Sequence, residues 1–72
     1  MQIDAALAAK ALEDALQQFP AFTEFRPRIA YRELFQGGAY FVQYENDPPR
    51  DMQGSWDFQN AAVKGYKRLA GL

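Results

Sequence analysis

Cysteine and histidine are both absent from this 72-residue sequence. Without thiols there is no disulfide and no thiolate metal site, and without imidazole there is no Ser–His, Cys–His or zinc–His catalysis within the chain. Hydroxyls are scarce as well. Outside tyrosine only Thr23 and Ser55 carry one, and neither sits in a nucleophile motif. Neither Gly37-Gly38 nor Gly54 belongs to a phosphate-binding pattern such as G-x-x-x-x-G-K-[ST]. No uncharged stretch approaches the roughly 20 apolar residues that span a bilayer, and Met1–Leu7 lacks the basic start of a secretory signal. Glu45, Asp47, Asp51 and Asp57 are rich in carboxylate but lack EF-hand spacing, so they read as a solvated loop. These absences set the expectation of a soluble, cytoplasmic, non-enzymatic chain without cofactor or metal.

What is present argues for a packed globule. Hydrophobic residues make up 49% of the chain and eleven are aromatic, which is too apolar for a disordered segment. At this length one small domain, residues 1–72, is expected, near the size where a single core leaves only a few kcal/mol of margin. The net charge of −1 hides a polarised layout. Lys10 stands alone against Asp4, Glu13, Asp14 and Glu24 in the first third, whereas Lys64, Lys67 and Arg68 have no acid after Asp57. The whole is too balanced for strong non-specific binding to nucleic acid.

Three stretches organise the chain. Asp4 is placed to cap a helix from Ala5 to Phe19, ended by Pro20, with Ile3 as a staple and a stripe of Ala5, Ala8, Leu12, Ala15, Leu16 and Phe19. A hairpin follows from Phe25 to Asn46, recognised by two aromatic and β-branched runs around Gly37-Gly38. With those glycines as a two-residue turn, Phe35 faces Tyr40, Glu33 faces Val42, Tyr31 faces Tyr44 and Ile29 faces Asn46. The core face then holds Phe25, Ile29, Tyr31, Phe35, Tyr40, Val42 and Tyr44. The other face holds Arg26, Arg28, Ala30 and Arg32, with Leu34 and Phe41 at the tip. Pro27 marks an edge, because it cannot donate to a neighbour. After a loop over residues 46–54, Ser55 is placed to cap a second helix striped by Phe58, Ala62, Tyr66 and Leu69, with Ala61 and Gly65 suited to a close crossing. Phe22 is expected to plug the end of the core between the first helix and the hairpin.

The expected architecture is α+β, a small helix–β-hairpin–helix (αββα) domain. Both helices pack on one face of an antiparallel hairpin, with room for a short third strand near Met52. That order is similar to phage head–tail connector proteins of similar length, a likeness of fold without a shared motif. Double-stranded-RNA-binding domains also set a sheet between two helices, but a lysine cluster opens their second helix where Trp56-Asp57-Phe58 stands here.

Two functional expectations follow. The first is a protein–protein interaction module: a small regulator, inhibitor or assembly subunit, such as a virus or mobile element carries. It would bind through the outer face and edge of the hairpin by Arg26, Arg28, Arg32, Leu34, Tyr40, Phe41 and Trp56, since arginine and aromatic side chains anchor interfaces. The bare edge also suits self-association by strand pairing. The alternative is nucleic-acid binding by Arg26, Arg28 and Arg32 with Lys64, Lys67 and Arg68. Glu45 and Asp47 oppose it, being placed across from Ala30 and Arg28.

Overall fold

The computed structural model describes residues 2–72 and follows the expected order: α1 (Ala5–Gln18), a 3-10 segment (Pro20–Phe25), β1 (Pro27–Leu34), β2 (Gly37–Tyr44) and α2 (Ser55–Ala70). The Asp4 carboxylate accepts from the backbone N–H groups of Ala6 and Leu7 at 3.1 Å each, satisfying two donors that a helix start leaves open. Phe19 caps α1 at its other end, where Pro20 begins the tighter 3-10 turn. Gly54, not Ser55, is the N-cap of α2; Ser55 is the first helical residue.

The two helices lie against each other on one face of the two-stranded antiparallel sheet, α1 against β1 and α2 against β2. Small residues make that crossing close. Ala8, Ala11 and Ala15 are the buried positions of α1, while Leu12, Leu16 and Phe19 flank them half-buried. Ala11, outside the expected stripe, lies opposite Gly65 of α2. Larger side chains fill the base of the hairpin. Phe22 and Phe58, both fully buried, stack with ring centroids 4.7 Å apart, and Phe19 meets Phe58 edge-on at 6.1 Å. Phe25 stands in the 3-10 segment, ahead of β1, and meets Tyr44 edge-on at 6.4 Å. Tyr66 closes the other side of the core, where its hydroxyl accepts from the Asp4 N–H at 3.0 Å and ties the start of α1 to α2.

The hairpin register differs from the expected one. The turn residues are Phe35 and Gln36, and Ile29 pairs with Val42, Ala30 with Phe41, Tyr31 with Tyr40 and Leu34 with Gly37. Each strand has slid so that pairing partners change while the inward and outward sets keep their parity. Cross-strand matching explains the outcome. The observed pairing sets Ile against Val and Tyr against Tyr on the core face, whereas the expected one set Glu33 against Val42 and Ile29 against Asn46. Gly38 then serves a packing purpose: the Tyr31 ring lies where a Cβ at residue 38 would be. Gly37, at φ +120, takes the turn's exit conformation that side chains disfavour. Phe35 is consequently fully exposed, not part of the core.

No third strand forms among the described residues. The Met52 N–H closes a turn on the Pro49 carbonyl at 3.0 Å, and the Met52 side chain packs half-buried against the core.

Candidate functional site

The covered face of the sheet is used up by packing, so the uncovered face and the strand edges are what the fold leaves to other molecules. Along β1, alternation sends Arg28, Ala30, Arg32 and Leu34 to the uncovered face; along β2 it sends Ala39, Phe41 and Gln43 there. Phe41 lies in mid-sheet opposite Ala30, not at the tip, because of the register. It is half-buried, with the Arg32 guanidinium 5.4 Å from its ring centroid. Such a cation over an aromatic face is a favourable contact and covers apolar surface that the helices do not reach. The tip belongs to Leu34, 56% exposed, and Phe35.

Arg26 stands apart from the row. It takes a left-handed backbone conformation at φ 51 between the 3-10 segment and Pro27, with its N–H on the Thr23 carbonyl and its own carbonyl accepting from the Glu45 N–H. Its guanidinium meets the Glu45 carboxylate at 3.8 Å, with both side chains exposed. Arg28 faces Gln43 and Arg32 faces Ala39, so of the two acids expected across from the row Glu45 reaches Arg26 instead, and Asp47 pairs with no arginine among the described residues. Among the described residues no carboxylate lies within ion-pair distance of Arg28 or Arg32.

Tyr40 and Trp56 are placed away from that face. Tyr40 points inward, half-buried, with Tyr31 at 4.9 Å, Tyr66 at 5.3 Å and the Lys67 ammonium 6.0 Å from its ring centroid. Burial and the neighbouring Tyr66 and Tyr31 phenols hold its hydroxyl above the ordinary value; burial does the same for Tyr44. Trp56 is 69% exposed on the first turn of α2. That turn lies at the base of the hairpin, since Phe58 meets Tyr44 and Tyr66 meets Tyr40, so Trp56 and the Leu34–Phe35 tip are at opposite ends.

The two strand edges are unequal. The Val42 N–H turns away from β1 and donates to the Gln59 side-chain carbonyl of α2 at 3.1 Å, so α2 closes that part of the β2 edge. In an antiparallel pair, outward groups alternate, and the partners of Val42 and its even-numbered neighbours are Pro27, Ile29, Tyr31 and Glu33. Among the described residues no hydrogen bond engages the outward backbone groups of Ile29, Tyr31 and Glu33, of which Glu33 is exposed, Tyr31 half-buried and Ile29 buried. Beside Ile29, toward the start of β1, opens a groove of about 290 Å³ between α1 and β1, lined by Ile3, Ala8, Ala9, Leu12 and Ile29 and bordered by Arg28. Strand alternation alone does not reveal this asymmetry, because it depends on where the helices land.

A second groove, about 590 Å³ and wide open, runs along the solvent face of α2 between Val63, Leu72 and the cations Lys64, Lys67 and Arg68. It lies across the molecule from Arg28 and Arg32, because α2 occupies the opposite face of the sheet. The two cationic sets therefore form separate surfaces. No three acidic residues gather into a metal-binding group among the described residues, and no helix is long and apolar enough to cross a membrane. No protein-family model, curated protein or solved structure matches the chain.

Proposed function

We propose that the chain is a non-enzymatic protein–protein interaction module, a regulator, inhibitor or assembly subunit that engages its partner through the uncovered face and β1 edge of the hairpin. The observation that carries this reading is the one-sided sheet: both helices pack on one face, leaving Arg28, Arg32, Leu34 and Phe41 on a face with no covering layer. Apolar surface flanked by arginines, on a rigid strand pair, is the usual composition of an interface centre. The test is affinity capture from cells of the source organism, comparing the natural chain with Leu34→Asp and with Phe41→Asp. A partner retained by the natural chain and lost by both variants, with their circular dichroism unchanged, supports the reading. Equal capture by all three refutes it.

A second reading, nucleic-acid binding, is favoured by one observation: Arg28 and Arg32 are not neutralised by Glu45. Titration of labelled DNA and RNA at moderate salt decides it. Binding in the micromolar range that falls with salt and disappears in the Arg28→Glu, Arg32→Glu double variant would replace the first reading.

A further inference from the structure

The helical layer is wider than the sheet beneath it. Two helices side by side, with axes about 9 Å apart, form a layer roughly 20 Å wide, whereas two strands at about 4.8 Å spacing cover only about half of that. The overhang appears as the groove between α1 and the edge of β1, where Ala5 and Ala9 are exposed and Ile3 and Leu12 are only half-buried. At the same edge the Ile29, Tyr31 and Glu33 backbone groups face outward. On the β2 side the Val42 N–H, by contrast, is already held by Gln59. The fold thus has space, apolar lining and backbone donors for one more strand on one side.

Resting on the interaction-module reading, we infer that the β1 edge takes one extended strand of a partner protein that alternates apolar and acidic residues. Its apolar side chains fill the groove beneath α1, and its carboxylates lie beside Arg28 and Arg32 on the uncovered face. The alternation follows from strand geometry: successive side chains of an added strand point to opposite faces, one meeting Ile3, Leu12 and Ile29, the other meeting the arginines. Charge decides against a second copy of this chain as occupant. In every antiparallel register of β1 with itself centred between Ile29 and Glu33, an arginine faces an arginine or lies diagonal to one, with no acid on that face. A carboxylate-bearing strand reverses that repulsion.

The probes are blocked eight-residue peptides of alternating valine and glutamate, and of alternating valine and lysine, followed by amide NMR and hydrogen exchange. The glutamate peptide is expected to shift the Ile29, Tyr31 and Glu33 amides and slow their exchange about tenfold or more at saturation. The lysine peptide should bind about tenfold more weakly or worse. Glu33→Pro removes an outward N–H without touching the ladder to β2, and should weaken the glutamate peptide by a similar factor. Arg28→Glu with Arg32→Glu should reverse the preference toward the lysine peptide, which keeps the inference testable even if Glu33→Pro does not fold. No binding of the glutamate peptide, or equal binding of both peptides, overturns the inference. Binding that survives Glu33→Pro but is lost on arginine reversal moves the ligand to the uncovered face, which sinks the added strand and leaves the module reading standing. Dimerisation of the free chain that Glu33→Pro abolishes puts a second copy at the edge and overturns the acidic strand. Salt-sensitive binding of DNA or RNA that arginine reversal abolishes refutes both readings.

Discussion

Replacing Gly65 by alanine should stabilise this domain, although Gly65 lies at the crossing of the two helices. Glycine in a helix interior costs about 1 kcal/mol relative to alanine, mostly through the freedom it retains in the unfolded chain. A crossing glycine is often kept because a methyl group would collide. Here an alanine Cβ at residue 65 would stand 3.6 Å from the Ala11 Cβ and 3.9 Å from the Ala11 Cα. Carbon atoms attract best at about 3.5–4.0 Å, so the methyl adds contact without displacing the helix. The net expectation is a gain of about 0.5–1 kcal/mol, which for a domain of this size raises Tm by roughly 3–7 °C. Far-UV circular dichroism on heating reads the shift. Urea unfolding should show a higher midpoint with an unchanged slope. Two controls bound the argument. Gly65→Leu should lower stability by about 1–3 kcal/mol through overpacking against Ala11. Gly54→Ala should lower it by about 1 kcal/mol although its Cβ would meet nothing closer than a Phe19 ring carbon at 3.8 Å, an ordinary van der Waals contact, because φ there is +87. A fall in Tm for Gly65→Ala would refute the reasoning, since it would mean that the helices cross more closely than the structure places them.

Phe35→Asp should leave stability within about 0.5 kcal/mol, because the ring touches nothing in the turn; a loss of several kcal/mol on chemical denaturation would restore the Gly37-Gly38 turn and bury that ring. Gln59→Ala should cost about 1 kcal/mol and speed exchange of the Val42 amide, whose N–H loses its acceptor; unchanged exchange would show that the β2 edge is not held by α2. Tyr40 has a folded-state value raised above its ordinary 10.0, so the fold favours its neutral form. Its contribution to stability is complete below pH 10.0 and is lost as pH rises from there through the raised folded-state value. Urea midpoints measured at rising alkaline pH should fall over that window, and Tyr40→Phe should flatten the decline; an identical decline in the variant would assign it elsewhere.

Much of the fold is legible in the residues because local rules act over a few positions. Asp4 three residues before Leu7 makes a cap, Pro20 stops a helix, and Phe58, Ala62 and Tyr66 at helical spacing make a buried stripe. Parity along the strands is equally local, so the uncovered row of Arg28, Arg32 and Leu34 follows from alternation whichever turn is used. The turn itself departs from its local signal for a physical reason. Gly37-Gly38 has the local chemistry of a two-residue turn, but pairing Ile29 with Val42 and Tyr31 with Tyr40 buries more matched apolar surface, and the Tyr31 ring needs the space over Gly38.

The candidate site divides along the same line. Composition and alternation by themselves determined a chain without thiol or imidazole chemistry, built as two helices and a hairpin with arginines on one strand face. Tertiary packing alone decided which arginine is neutralised, which strand edge is open, and where Tyr40 and Trp56 stand. Those outcomes depend on contacts between residues far apart in the chain: Gln59 with Val42, Glu45 with Arg26, and α1 over β1. The separation of those residues leaves no periodic trace in the sequence, and the difference in width between two helices and two strands exists only once they are stacked.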